Sequence, residues 1–144
     1  MNRRTALALL ALAGLFVSAY LYLYKLGYIG TIACGTGGCE TVQLSEQSRF
    51  MGVEVALIGL LGYAVLFLLA ALSLGSGFSG PSWPVLGMVL LGAGAVGFTL
   101  YLKYLELFVI HAICRWCVGS AVIIVLFFLV ALVEWRQARR EAST

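Results

Sequence analysis

"HAICRWCVGSAVIIVLFFLVALVEWRQARR", residues 111–140, opens on a Cys-x-x-Cys pair and then runs without a charge from Val118 to Val133. The apolar run, 113–134, meets the roughly 20 residues a helix needs to cross the hydrocarbon of a bilayer. Arg136, Arg139 and Arg140 follow it. Three more apolar runs precede it, at about 5–24, 53–74 and 84–107. The 144 residues are 62% hydrophobic and only 10% charged, against about a quarter charged in soluble domains. Most of the surface must therefore meet lipid. The pattern predicts an all-α integral membrane protein, a four-transmembrane-helix bundle forming a single domain over 1–144.

Arg3 and Arg4 stand before the first run, so both ends of the chain are basic. By the positive-inside rule both termini are cytoplasmic, as an even number of spans permits. The stretch "GSGFSGPSW", 75–83, becomes a short cytoplasmic turn. Segments 25–52 and 108–112 then face the extracytoplasmic side, carrying all four cysteines on or near that surface. The first run also has the basic start of a secretory signal peptide. Its length and the lack of a clear A-x-A site favour a retained helix. The net charge of +3 sits in the tails and gives no reason to expect nucleic acid.

Tyr20, Tyr22, Tyr24 and Tyr28, with Tyr101 and Tyr104, suit an interfacial aromatic belt. Gly87, Gly92, Gly94 and Gly97 of the third run suit close helix packing. Lys103, Glu54 and Glu106 are expected to snorkel at the outer surface, and His111 to be an interfacial polar residue.

The chemistry lies with the cysteines. Cys34 and Cys39 bracket Gly-Thr-Gly-Gly, a backbone with little preferred conformation. They could form a fixed loop disulfide in an oxidising compartment or exchange with other thiols. Cys114 and Cys117 are three apart at the expected start of the fourth helix, so they share one face. There the helix dipole and unpaired backbone N–H groups stabilise a thiolate, the species that attacks disulfides. Inert packing and a four-cysteine zinc site are the competing readings; no resident metal is expected. Two dithiols on one membrane face suggest an electron relay. With no flavin or nicotinamide fingerprint and no histidine pair for haem, a lipid-soluble quinone is the expected acceptor.

This ordered set of residues resembles the vitamin K epoxide reductase family, specifically its small bacterial members without a fused thioredoxin-like domain. The resemblance spans nearly the whole chain. It rests on Cys34 and Cys39, on Ser45 six residues later, on "GVEVALIGLLGY" at 52–63, on Tyr101-Leu102, and on Cys114-x-x-Cys117. It implies four helices around a quinone, menaquinone or ubiquinone, with a short helix in the extracytoplasmic loop capping the site. Cys117 would be the thiolate nearest the quinone and Cys114 would exchange with Cys39. Cys34 and Cys39 would take electrons from a separate thioredoxin-like or DsbA-like protein. Ser45 would fix or polarise the quinone, unless it merely caps the loop helix. Val55, Ile58, Gly59, Gly62, Tyr63, Tyr101 and Leu102 would form the wall. Gly59 and Gly62 serve packing in either case, and Tyr101 suits the belt equally well.

Two positions depart from the family's pattern. Glu54 stands where bacterial relatives often have proline, and Ala121 where the animal enzymes have a quinone-contacting tyrosine. The second departure counts against epoxide chemistry but leaves quinone reduction intact. The resemblance thus implies a thiol:quinone oxidoreductase of a bacterial inner membrane that supports disulfide formation. The competing readings are a DsbB-type reductase, in which the two kinds of cysteine pair occur in reverse order, and a non-enzymatic scaffold with structural disulfides.

Overall fold

The computed structural model describes residues 3–26, 49–50, 53–74, 83–105, 107–108 and 115–143. Four helices dominate: α1 (Arg3–Leu26), α2 (Val55–Ser73), α3 (Trp83–Leu105) and α4 (Arg115–Ser143). All four are long and apolar enough to cross a membrane. A helix is the natural choice there, because it satisfies its backbone polar groups internally where no water can. The protein is a multi-pass membrane protein.

The second apolar run becomes helical two residues later than its hydropathy suggests. Val53 and Glu54 form a short strand, β2, paired antiparallel with β1, Arg49–Phe50. Pairing of Arg49 with Glu54 and of Phe50 with Val53 holds the backbone extended up to the first residue of α2. At the other end of the chain α4 continues to Ser143, well beyond the apolar run. Its tail is rich in Arg, Gln, Glu and Ala, which favour a helix with or without lipid.

α1 packs on α2 and α4, and α3 packs on the same two helices, so α1 and α3 stand at opposite corners. Leu7 and Ala11 of α1, Leu66 and Ala70 of α2, Met88 of α3 and Phe127 of α4 meet in the core. Phe16, Leu68, Leu100 and Leu129 point outward. Lipid tails are as apolar as the core, so these outer faces need no polar stripe.

One end of the bundle is locked by charge. Arg4 Nε donates to Glu134 Oε1 at 2.8 Å, and its Nη1 donates to the Ser73 carbonyl at 2.7 Å. Arg3 Nε donates to Glu134 Oε2 at 2.9 Å and its Nη2 to Gln137 Oε1. The Ser73 carbonyl ends α2, where the helix itself offers no donor. Arg4 and Glu134 are both buried. The start of α1, the end of α2 and the latter part of α4 are thereby joined. Arg3 and Arg4, read in the sequence as orientation signals, are also structural ligands of a carboxylate.

Removing one partner of a buried pair leaves charge without compensation. Glu134→Ala is expected to destabilise the bundle by about 3 kcal/mol in denaturant unfolding in detergent micelles. Glu134→Gln, which keeps an acceptor for one arginine, is expected to cost less.

Candidate functional site

Cys117 lies in the first turn of α4, where unpaired backbone N–H groups concentrate positive potential. It is half-buried and packs, beside Trp116, against Leu21 of α1 and Ala56 of α2. The Tyr20 ring lies 5.0 Å from that of Trp116, tilted by 43°. Tyr20, Tyr22 and Tyr24, read as a belt, thus also close this layer of the bundle.

Beneath it Cys117 borders a cavity of about 540 Å³, within the range of small-molecule sites. The geometry follows from helix direction. α1 runs opposite to α2 and α4. Three residues back from Leu21, or three on from Ala56 and from Cys117, each move about 4.5 Å inward. Those steps reach Ser18, Gly59 and Ser120, and all three line the cavity.

Ser18 is 5% exposed. Its hydroxyl has no hydrogen bond to any described residue. A Cβ at position 59 would stand 3.0 Å from Ser18 Oγ, so glycine keeps the space beside that hydroxyl open. Deeper in, Tyr63 crosses from α2 to α4. Its hydroxyl lies 3.0 Å from the Ser120 carbonyl, to which it donates, and 2.9 Å from Ser120 Oγ. The ring fits only because residue 14 is glycine: a Cβ there would collide with its Cε1, Cδ1 and Cζ.

On its open side the cavity reaches lipid. Leu61 and Val65 of α2 and Leu90 and Leu91 of α3 all line it, yet all are exposed. The two helices close again where Gly87 faces Leu69, a Cβ there being 3.3 Å from Leu69 Cδ1. An apolar ligand dissolved in the bilayer can thus reach the neighbourhood of Cys117 without crossing water.

Of the residues named for the wall, Val55, Ile58, Gly59, Gly62, Tyr63 and Leu102 line the cavity. Tyr101 is not on that lining, and neither is Ala121, the position that departs from the family's tyrosine. Successive helical residues differ by about 100°. Leu102 therefore faces inward while the Tyr101 ring turns out, stacking on Phe98 at 6.5 Å, and Phe98 takes the place on the wall. In the same way Ser120, not Ala121, faces the cavity.

Gly62 and Gly94, expected to serve packing, have nothing within 4 Å of where a Cβ would stand, and both border the cavity. Gly97 likewise has open space beside it, whereas Gly87 and Gly92 do pack, on Leu69 and Phe128. Lys103, expected to snorkel, stands on the lining near the Cys117 end. Cys34, Cys39, Ser45, His111 and Cys114 lie outside the described residues, and with them the loop disulfide, the zinc alternative and the short loop helix. The sequence reading passed over Ser18 and Ser120. Ser120 carries one signal, a hydroxyl three residues from Cys117 in an otherwise apolar helix; Ser18 carries none.

The family model described as the vitamin K epoxide reductase family matches residues 5–132 of the 144. The chain belongs to the vitamin K epoxide reductase family. Membership makes it a membrane thiol oxidoreductase acting on quinones. The cavity suits such a molecule: an apolar wall for a ring and tail, a thiol on its lining and a buried hydroxyl that finds no partner among the described residues. A quinone held there would supply an acceptor for two electrons and two protons.

Two substitutions test the architecture of this family member's cavity. Tyr63→Phe keeps the ring and loses the bond to Ser120, and is expected to cost about 1 kcal/mol of stability. Gly14→Ala forces the ring from its notch, and is expected to cost about 1–3 kcal/mol. Denaturant unfolding in detergent reads both.

Proposed function

We propose that the chain is a thiol:quinone oxidoreductase that reoxidises a separate extracytoplasmic thioredoxin-like or DsbA-like protein and so supports disulfide formation in exported proteins. The observation that carries this reading is the position of Cys117, on the lining of an apolar cavity that opens to lipid between α2 and α3. A thiol so placed is reachable from the membrane side through the cavity.

In the proposed sequence a dithiol on the partner attacks the Cys34–Cys39 disulfide and leaves as a disulfide, so that Cys34 and Cys39 become thiols. Cys39 then attacks Cys114 of the Cys114–Cys117 disulfide and frees Cys117 as a thiolate. Cys34 resolves the mixed disulfide, restoring Cys34–Cys39 and freeing Cys114. Re-formation of the Cys114–Cys117 disulfide releases two electrons, which with two protons convert a quinone to the quinol. Over a cycle one partner dithiol is oxidised and one quinone reduced, with no net change in the chain. Ser45 would help fix the quinone, as the family resemblance implies.

Orientation follows from charge. Arg3, Arg4, Arg136, Arg139 and Arg140 gather at one end, which the positive-inside rule assigns to the cytoplasm of a bacterial inner membrane. Cys117 then belongs to the extracytoplasmic end, where a partner that oxidises exported proteins works.

The test is partner-dependent quinone reduction by Cys117→Ala. Turnover is expected to fall to background. Substantial remaining turnover would exclude the proposed route.

A further inference from the structure

Four hydroxyl-bearing residues line the cavity: Ser18, Tyr63, Thr99 and Ser120. Tyr63 and Ser120 serve each other, at 2.9 and 3.0 Å. Thr99 is half-buried. Ser18 differs from all three. It is 5% exposed, and its hydroxyl finds no partner among the described residues.

A helical serine in an apolar setting ordinarily bonds back to a carbonyl three or four residues earlier. Ser73 does so, Oγ donating to the Ala70 carbonyl at 2.7 Å. Ser18 makes no such bond. A buried hydroxyl left without a partner costs stability, and lipid offers no water to relieve it. Gly59 sharpens the point. A Cβ there would crowd Ser18 Oγ at 3.0 Å, and the residue that leaves the hydroxyl room is the one the sequence has.

We infer that Ser18 is a substrate-binding residue, whose hydroxyl donates a hydrogen bond to a carbonyl oxygen of the quinone. The inference rests on the quinone reading above and deepens it. Ser18 lies one helical turn inward from the layer in which Cys117 packs on Leu21 and Ala56, at the depth where a ring entering beside Cys117 comes to rest. A bond from α1 would fix the ring against α2 and α4 and present it to the thiol. It would also supply the polar contact that Ala121 cannot, from a different helix. Ser120, braced by Tyr63, lies across the same layer.

The test compares wild type, Ser18→Ala and Gly59→Ala, each as the full chain in detergent. Thermal shifts are read with menadione and with methylnaphthalene, which has the ring but no carbonyl. KM and kcat for menadione reduction are read with a dithiol donor. Removing an unsatisfied hydroxyl should leave the ligand-free Ser18→Ala protein as stable as wild type or more so. Its menadione shift should shrink to that of methylnaphthalene, and its KM should rise about tenfold with kcat changed less. Gly59→Ala, which displaces the hydroxyl, should raise KM in the same direction, and combining the two should add little to Ser18→Ala alone.

A Ser18→Ala protein that keeps the wild-type preference for menadione over methylnaphthalene overturns the inference. So does one that is less stable without ligand at unchanged KM, since Ser18 would then be structural. Should Ser18→Ala not fold, a wild-type KM in Gly59→Ala overturns it. A wild-type protein that neither binds nor reduces menadione overturns the quinone reading itself, and the inference with it.

Discussion

The contact on which the cavity depends is the Tyr63 ring seated in the notch left by Gly14, with its hydroxyl tied to Ser120. Without a Cβ at position 14, α1 and α2 can approach around a large aromatic side chain. The ring in turn spans to α4. Three helices are thereby held at one depth, and the void runs beside them from the Cys117 end as far as Leu66 and Ile124. Small residues earn their place in membrane bundles by permitting such approach. Here they serve two ends: Gly14 closes the bundle, whereas Gly59, Gly62 and Gly94 keep the space beside it open.

The same constraint sorts the polar groups. In hydrocarbon a polar side chain can turn only to the protein or to a ligand. At one end Arg3 and Arg4 share Glu134, and Arg4 also takes the last-turn carbonyl of Ser73. In the middle Tyr63 and Ser120 satisfy each other. A buried hydroxyl that finds no partner among the described residues, that of Ser18, is on the cavity. Fixing the far end with charge and the middle with a tyrosine leaves the Cys117 end as the place where α2 and α3 stand apart. That end is where an apolar molecule from the bilayer and a thiol can meet.

The four spans were legible because length and apolarity alone mark a helix that must cross lipid. Their edges were less so. Hydropathy does not see the pairing of Val53 and Glu54 with Arg49 and Phe50, nor the polar continuation of α4 to Ser143. The cavity-facing positions on α2 came from resemblance rather than periodicity. A helix that is apolar all round carries little sign of which face turns inward. For the same reason the wall named on α3 included Tyr101, whereas the cavity is lined there by Phe98 and Leu102. Ser18 and the Glu134 clamp had no local signal. Each depends on residues far away in sequence, Gly59 in one case and Arg3 and Arg4 in the other.

The central claim is that quinone enters the cavity beneath Cys117 rather than some other apolar face. Photolabelling with an azido-quinone in reconstituted membranes, followed by mapping of the modified residues, tests it most directly. Labels are expected on the cavity faces of α2 and α3, around Ile58, Gly62, Leu91 and Leu102, and to disappear when excess unlabelled quinone competes. Labels concentrated on outward residues such as Phe16 and Leu129, unaffected by competition, would contradict it.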